Sequence, residues 1–270
     1  GYHLFLEKPI AQTFEGCLKI ERKALEKRLF LQICHPMRYA PFYRKIKELL
    51  SADVIGEINA VYMHENVEYG HFAHSFVRGN WGVEGQSTFM LMAKSCHDLD
   101  YLAYLAAPAP CRSVASWGSL AYFTPAHAPG DAADRCLDCP RERRCPWSAV
   151  RQYVDGDRES WPAAVVATDH SYEAHLAAIR TGPYGRCVWR CDNDVVDHQV
   201  VALEFAGGLT ATFTMTAFTQ RGGRKIRVHG TEGEIEFREE GMQVRTFADG
   251  RDEDVAFPAE PGGHGGGDTL

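Results

Sequence analysis

The chain reads as a mixed fold: a parallel α/β unit at its start, then an α+β region built on an open, mostly antiparallel sheet with helices on one face. Two observations carry this. Apolar Tyr2–Leu6, an amphipathic stretch from Thr13 to Arg28 and apolar Leu29–Cys34 make strand, helix and strand, and such a crossover joins parallel strands. Further on, Val200–Phe205, Leu209–Phe218, Arg224–His229, Glu234–Phe237 and Met242–Phe247 form apolar runs parted by Gly-bearing turns, the pattern of a meander. With 45% hydrophobic residues in 270, the chain can bury a substantial core.

Composition excludes several functions. A net charge of −7 and a pI near 5.9 argue against nucleic acid as the main partner. No stretch approaches the ~18 apolar residues of a membrane span. Nine cysteines, an odd number, suit a reducing compartment, and the cytoplasm is the expected location. The chain opens on Gly-Tyr-His and stops after Gly-Asp-Thr-Leu, so it reads as truncated at both ends, where a targeting segment is easily lost.

Taken in order, the first strand ends at Glu7-Lys8-Pro9, because Pro9 cannot donate to a ladder. Lys8 thus emerges at the carboxyl edge of a parallel sheet, where α/β proteins place ligands, although a solvated lysine is the commoner case. Pro41 heads a helix over Phe42–Leu50, with Gly56 as its stop, and Glu57–Asn66 alternates as a strand. Tyr69–Gln86 has no period and is expected to be a loop. In it Arg78 and Trp81 suit a polar, ring-shaped ligand, or else pin the loop to the surface.

Phe89–Leu105 is apolar-periodic and predicts a helix of about four turns. On it Lys94, His97, Asp98 and Tyr101 fall on one face, offering an ammonium, an imidazole, a carboxylate and a phenol to a common space. The competing reading is a solvated polar face.

Cys136-x-x-Cys139 followed by Cys145 has the spacing of half a structural zinc site, with Cys187 or Cys191 as the fourth sulfur. Such a site would staple the poorly apolar stretch from Thr124 to Trp161, part of a Cys-rich insertion at about residues 124–191; free thiols or a redox pair are the alternatives. Cys17, Cys34, Cys96 and Cys111 sit in apolar periodic settings and are expected in the core. Asn193, Asp194 and His198 precede the meander as turn chemistry or as cleft residues. His264 lies in a Gly-rich tail.

Glu7-Lys8-Pro9, the βα unit behind it, a Trp-bearing loop and a helix carrying His97 together resemble the glucose–fructose oxidoreductase/inositol dehydrogenase (Gfo/Idh/MocA) family. The resemblance implies that residues 1–36 end a Rossmann domain and that 37–270 form the substrate and oligomerisation domain. It implies NAD or NADP as cofactor, met by Glu7, Lys8 and Pro9, and His97 as acid/base beside Lys8. Arg78, Trp81, Lys94 and Asp98 are then candidate substrate contacts, and the open sheet face a homo-oligomer interface.

The helix motif of the family, Asp-x-Gly-x-His-x-x-Asp, has Ala93 and Ser95 here in place of its first Asp and its Gly, while Asp100 matches. No Gly-x-Gly-x-x-Gly follows a strand, so the expected Rossmann phosphate turn lies outside this sequence. The implied activity is hydride transfer between nicotinamide and a sugar, cyclitol or related polyol. The alternatives are a redox-neutral glycosidase or lyase working by transient oxidation, and a non-enzymatic, zinc-stapled sensor or scaffold.

Overall fold

The computed structural model describes residues 1–238 and 241–257, so His264 lies outside the described residues. Strands β1 (Leu4–Leu6) and β2 (Leu31–Ile33) pair in parallel, Leu4 opposite Leu31. Helix α1 (Phe14–Glu26) crosses between them. It starts where the Thr13 hydroxyl accepts from the Gly16 N–H at 3.1 Å, satisfying one of the donors that a helix start leaves bare. Phe5, Phe14 and Phe30 of this unit are exposed.

The larger sheet contains β3 (Ile58–Glu68), β4 (Cys111–Ser119), β5 (His198–Phe205), β6 (Thr210–Thr219), β7 (Gly223–Gly230), β8 (Gly233–Arg238), β9 (Gly241–Thr246) and β10 (Asp252–Val255). Its order is β10-β9-β8-β7-β3-β6-β5-β4. The meander is real but interrupted: β3 slots between β6 and β7, parallel to β6 and antiparallel to β7. One early strand thereby becomes the centre of the sheet. Val61, Met63 and Val67 of β3, with Phe213, Met215 and Ala217 of β6, face inward. Against them pack α2 (Pro41–Ser51) through Tyr43 and Ile46, and α5 (Cys96–Ala106) through Leu102 and Leu105. The other face, with Tyr62, Trp117 and Val200, is exposed.

Four expectations change, three of them in the main body of the fold. Cys111 is exposed on edge strand β4 rather than in the core, because every residue of that strand is exposed. The Tyr69–Gln86 stretch begins with a helical turn, α3 (Tyr69–Phe72), that runs into a π-helix over Ala73–Arg78. Finally, the Phe89–Leu105 helix is two helices, α4 (Met90–Ala93) and α5, broken at Lys94-Ser95. Both halves dock on the same core, so the apolar period passes through the break unmarked.

The insertion carries the short helix α6 (Ala149–Tyr153) and α7 (Tyr172–Thr181). Contrary to expectation it has an apolar core of its own, in which Ala149, Tyr153, Val154, Ala163 and Ile179 pack with Cys136.

Candidate active site

The break in the helix organises the site. Lys8 Nζ donates to the carbonyl of Ala93 at 2.9 Å, at the last residue of α4. That is the position where the motif has aspartate, so a main-chain oxygen receives the ammonium where a carboxylate is missing. Burial pushes the Lys8 pKa below the ordinary ammonium value; Cys96 pulls it back up, and the charges of Lys94 and Arg224 add smaller downward pushes. Lys8 is thus a partly desolvated cation at the carboxyl end of β1, suited to meet a developing alkoxide.

His97 follows the break and is 1% exposed. Its ring meets that of His35 edge-on, with centroids 6.0 Å apart. Nε2 of His35 lies 3.8 Å from Asp100 Oδ1, and Arg38 grips the same carboxylate through two bonds of 2.6 and 2.7 Å. Burial lowers the His35 pKa, with Asp100 opposing. Asp100 therefore holds Arg38 and His35 in place from one turn away.

Lys94 turns from the break to Glu65 Oε1 at 3.0 Å. Arg224 binds Glu65 Oε2 at 2.8 Å and Asp98 through contacts of 2.6 and 3.2 Å. Burial disfavours the Arg224 charge, but Asp98 and Glu65 outweigh it and hold its pKa well above the usual value. The two acids and two bases form a neutral, buried network under the site. Removing one member strands its partner's charge, which typically costs ~3–5 kcal/mol.

The shared helix face does not survive intact. Asp98 is fully buried on Arg224 rather than open to substrate. The Tyr101 hydroxyl donates to the Tyr43 carbonyl at 2.8 Å, inside the core. Asp98 and Lys94 are tied together through Glu65 and Arg224, and Tyr101 is spent in the core, so the three groups are not offered together to a ligand.

Arg78 is also placed elsewhere. It is buried and donates to the carbonyls of Arg186 (2.8 Å) and Trp147 (2.6 Å), to Gln152 Oε1 (3.4 Å) and to Cys136 Sγ (3.5 Å). These bonds tie the insertion to the π-helix, which is the pinning role. Trp81 is half-buried against the main core.

The zinc expectation fails with it. Among the described residues no group of three or more His, Cys, Asp or Glu is arranged to hold a metal. Instead the Arg78 guanidinium donates to Cys136 Sγ at 3.5 Å, and a cation at that sulfur would meet its charge. Cys191 donates to the Cys187 carbonyl at 3.3 Å, and burial pushes its thiol up to about 11. At the meander's entry, Asp194 accepts from the Glu84 N–H (2.7 Å), Asn193 donates to the Phe123 carbonyl (3.3 Å) and His198 pairs with Asp197 (2.8 Å). Those contacts are turn chemistry.

Two site residues escaped the sequence. Glu65 was legible, since it interrupts the inward alternation Val61, Met63, Val67, and a buried acid there demands a partner. His71, on α3, carried no pattern. Its pKa falls to about 3 through burial and the nearby charges of Lys94, His74, Arg224 and Lys8, so it is neutral.

Comparison gives the sheet and the helix pair a family. Residues 47–264 match the C-terminal alpha/beta domain of the Gfo/Idh/MocA oxidoreductase family, and the chain belongs to that family. YteT of Bacillus subtilis (strain 168) is 23% identical over 98% of this chain, which spans 64% of that protein's length.

Among solved structures, levoglucosan dehydrogenase in complex with NADH and levoglucosan aligns at TM-score 0.60 and 17% identity, covering 98% of this chain and 57% of that one. An oxidoreductase from Agrobacterium radiobacter, in complex with NAD+, L-tartaric acid and magnesium, aligns at 0.61 and 12%, covering 99% and 59%. At these identities the likeness speaks to the fold. The chain thus spans less than two thirds of each of these proteins. No helix among the described residues is long and apolar enough to cross a membrane.

Proposed function

We propose that this chain is the substrate side of an NAD(P)-dependent dehydrogenase acting on a CH–OH group of a sugar, cyclitol or related polyol. The observation that carries the reading is the Lys8–Ala93 bond, which holds a desolvated ammonium at the break one turn ahead of His97. Glu7, Lys8 and Pro9, at the carboxyl end of β1, are the residues here that would meet a nicotinamide. The exposed Phe5, Phe14 and Phe30 support a larger nucleotide-binding layer against the β1–α1–β2 unit.

When bound, the nicotinamide supplies the hydride acceptor or donor. The chain's own task is the proton. In the oxidation direction His97 takes the hydroxyl proton, and Lys8 stabilises the negative charge that grows on the same oxygen. Lys94, held by Glu65, remains a candidate substrate contact at the rim. The exposed sheet face carrying Tyr62 and Trp117 suits a homo-oligomer, an idea that fails if the full-length protein sediments as a monomer at micromolar concentration.

The test is NAD(P)H absorbance with the full-length protein against cyclitols, aldoses and sugar acids. Sustained substrate-dependent reduction is the expected result. Product without accumulating NADH moves the reading to the redox-neutral reaction. Silence across the panel with neither product nor reduction overturns it.

A further inference from the structure

A second recess, distinct from the helix break, opens where β3 ends and the insertion folds back. It measures about 290 Å³ and is lined by Glu68, Tyr69, His71, Arg151, Gln152 and Trp161, among others. That is the lower end of the ~300–1,000 Å³ typical of small-molecule pockets, enough for one ring but not for a nucleotide.

Its construction is specific. Trp161 is 54% exposed, yet His71 and His74 meet its ring at 4.7 and 5.3 Å, both near 79°, so a large aromatic surface is held open in one orientation. The rim is polar. One Glu68 oxygen accepts from the His71 N–H at 2.6 Å, and Gln152 Nε2 donates to the Gly70 carbonyl at 2.7 Å. These bonds clamp α3 between strand and insertion and leave the second Glu68 oxygen for a ligand, while Arg151, whose Nη2 donates to the Arg143 carbonyl at 2.8 Å, offers the remaining N–H groups of its guanidinium. A flat apolar ring beside carboxylate and guanidinium groups is the chemistry that recognises a pyranose, whose axial C–H face is apolar and whose edge is hydroxylated.

The recess also has a fixed relation to the helix break. Glu65, which holds Lys94, lies three residues before Glu68 on the same strand, a rise of about 10 Å along β3.

We propose that this recess is a subsite for a pyranose ring remote from the carbon being oxidised, with Trp161 as its stacking platform and Glu68 and Arg151 as hydroxyl partners. It rests on the reading of the chain as a polyol dehydrogenase. It assigns the Cys-rich insertion a function: through Arg78 and Gln152 the insertion is bolted to α3 and supplies the subsite's outer wall. The preferred substrate then carries a second ring, as a glycoside or disaccharide does.

The test compares KM and kcat of the full-length enzyme for monosaccharides and for their glucosides, in wild type, Trp161→Ala and Trp161→Phe. The expected result is a glucoside KM raised about tenfold in Trp161→Ala with kcat within about twofold, monosaccharide kinetics unchanged, and recovery in Trp161→Phe. Equal KM values in wild type and Trp161→Ala overturn the subsite. If no substrate is oxidised, the dehydrogenase reading has failed separately, and saturation-transfer NMR with methyl glucopyranoside decides the subsite. Ring-proton signals lost in Trp161→Ala keep it, and signals that are equal or absent in both proteins remove it.

Discussion

Lys8 and Arg78 are both cations drawn out of water and donating to main-chain carbonyls, yet they serve opposite ends. Arg78 gives its donors to two carbonyls, an amide and a thiol and is 4% exposed. Burial disfavours its charge, but the groups around it, led by Cys136, keep its pKa above the usual value. Lys8 has one carbonyl bond, an ammonium that keeps further donors, and a pKa pushed down. A cation whose donors are all answered holds structure. One left partly unanswered at the carboxyl end of a parallel strand is available for chemistry, and the difference lies in what surrounds each charge rather than in the charge itself.

The comparison breaks first at Arg78. Replacing it with Ala leaves the carbonyls of Trp147 and Arg186 unanswered inside the protein, and a loss of about 3–5 kcal/mol is expected. Urea unfolding of the variant measures it, and a loss below ~1 kcal/mol would mean that the insertion stands without its guanidinium. Lys8→Met should do the reverse. Turnover falls about 10²–10³-fold as the charge facing the alkoxide is lost, while the unfolding midpoint barely moves.

A smaller effect sharpens the picture at His71. Its folded pKa, about 3, lies below the ordinary value of 6.5, so the folded state resists a proton that the unfolded chain accepts. Stability is therefore full above pH 6.5 and declines as pH falls toward 3, by up to about 1 kcal/mol per pH unit. His71→Gln should flatten that slope in thermal melts taken between pH 7 and 5; an unchanged slope would place the titration elsewhere.

How much of this was legible follows from where each signal resides. The β1–α1–β2 unit and strands β5 to β9 were readable because alternation and glycine turns are local. The place of β3 between β6 and β7 was not, since no local pattern records which strand a distant one joins. Edge strand β4 carries no buried face and hence no alternation to find. In the site, Lys8 and His97 stood out by motif. The break at Lys94-Ser95 was hidden by the apolar period that both halves share, and the partners that bury Asp98 and Tyr101, Arg224 and the Tyr43 carbonyl, lie on distant segments. The Cys-x-x-Cys spacing suggested a metal because spacing cannot reveal that an arginine from another segment donates to the first of the sulfurs.

The most direct test of the account is the rate of NAD(P)H formation by full-length His97→Ala against wild type, on a substrate that the panel identifies, with cofactor binding measured alongside. The account predicts turnover lower by about 10²–10⁴-fold with the cofactor still bound, the usual worth of a general base. A variant that turns over near the wild-type rate would contradict it and remove the helix break from the chemistry.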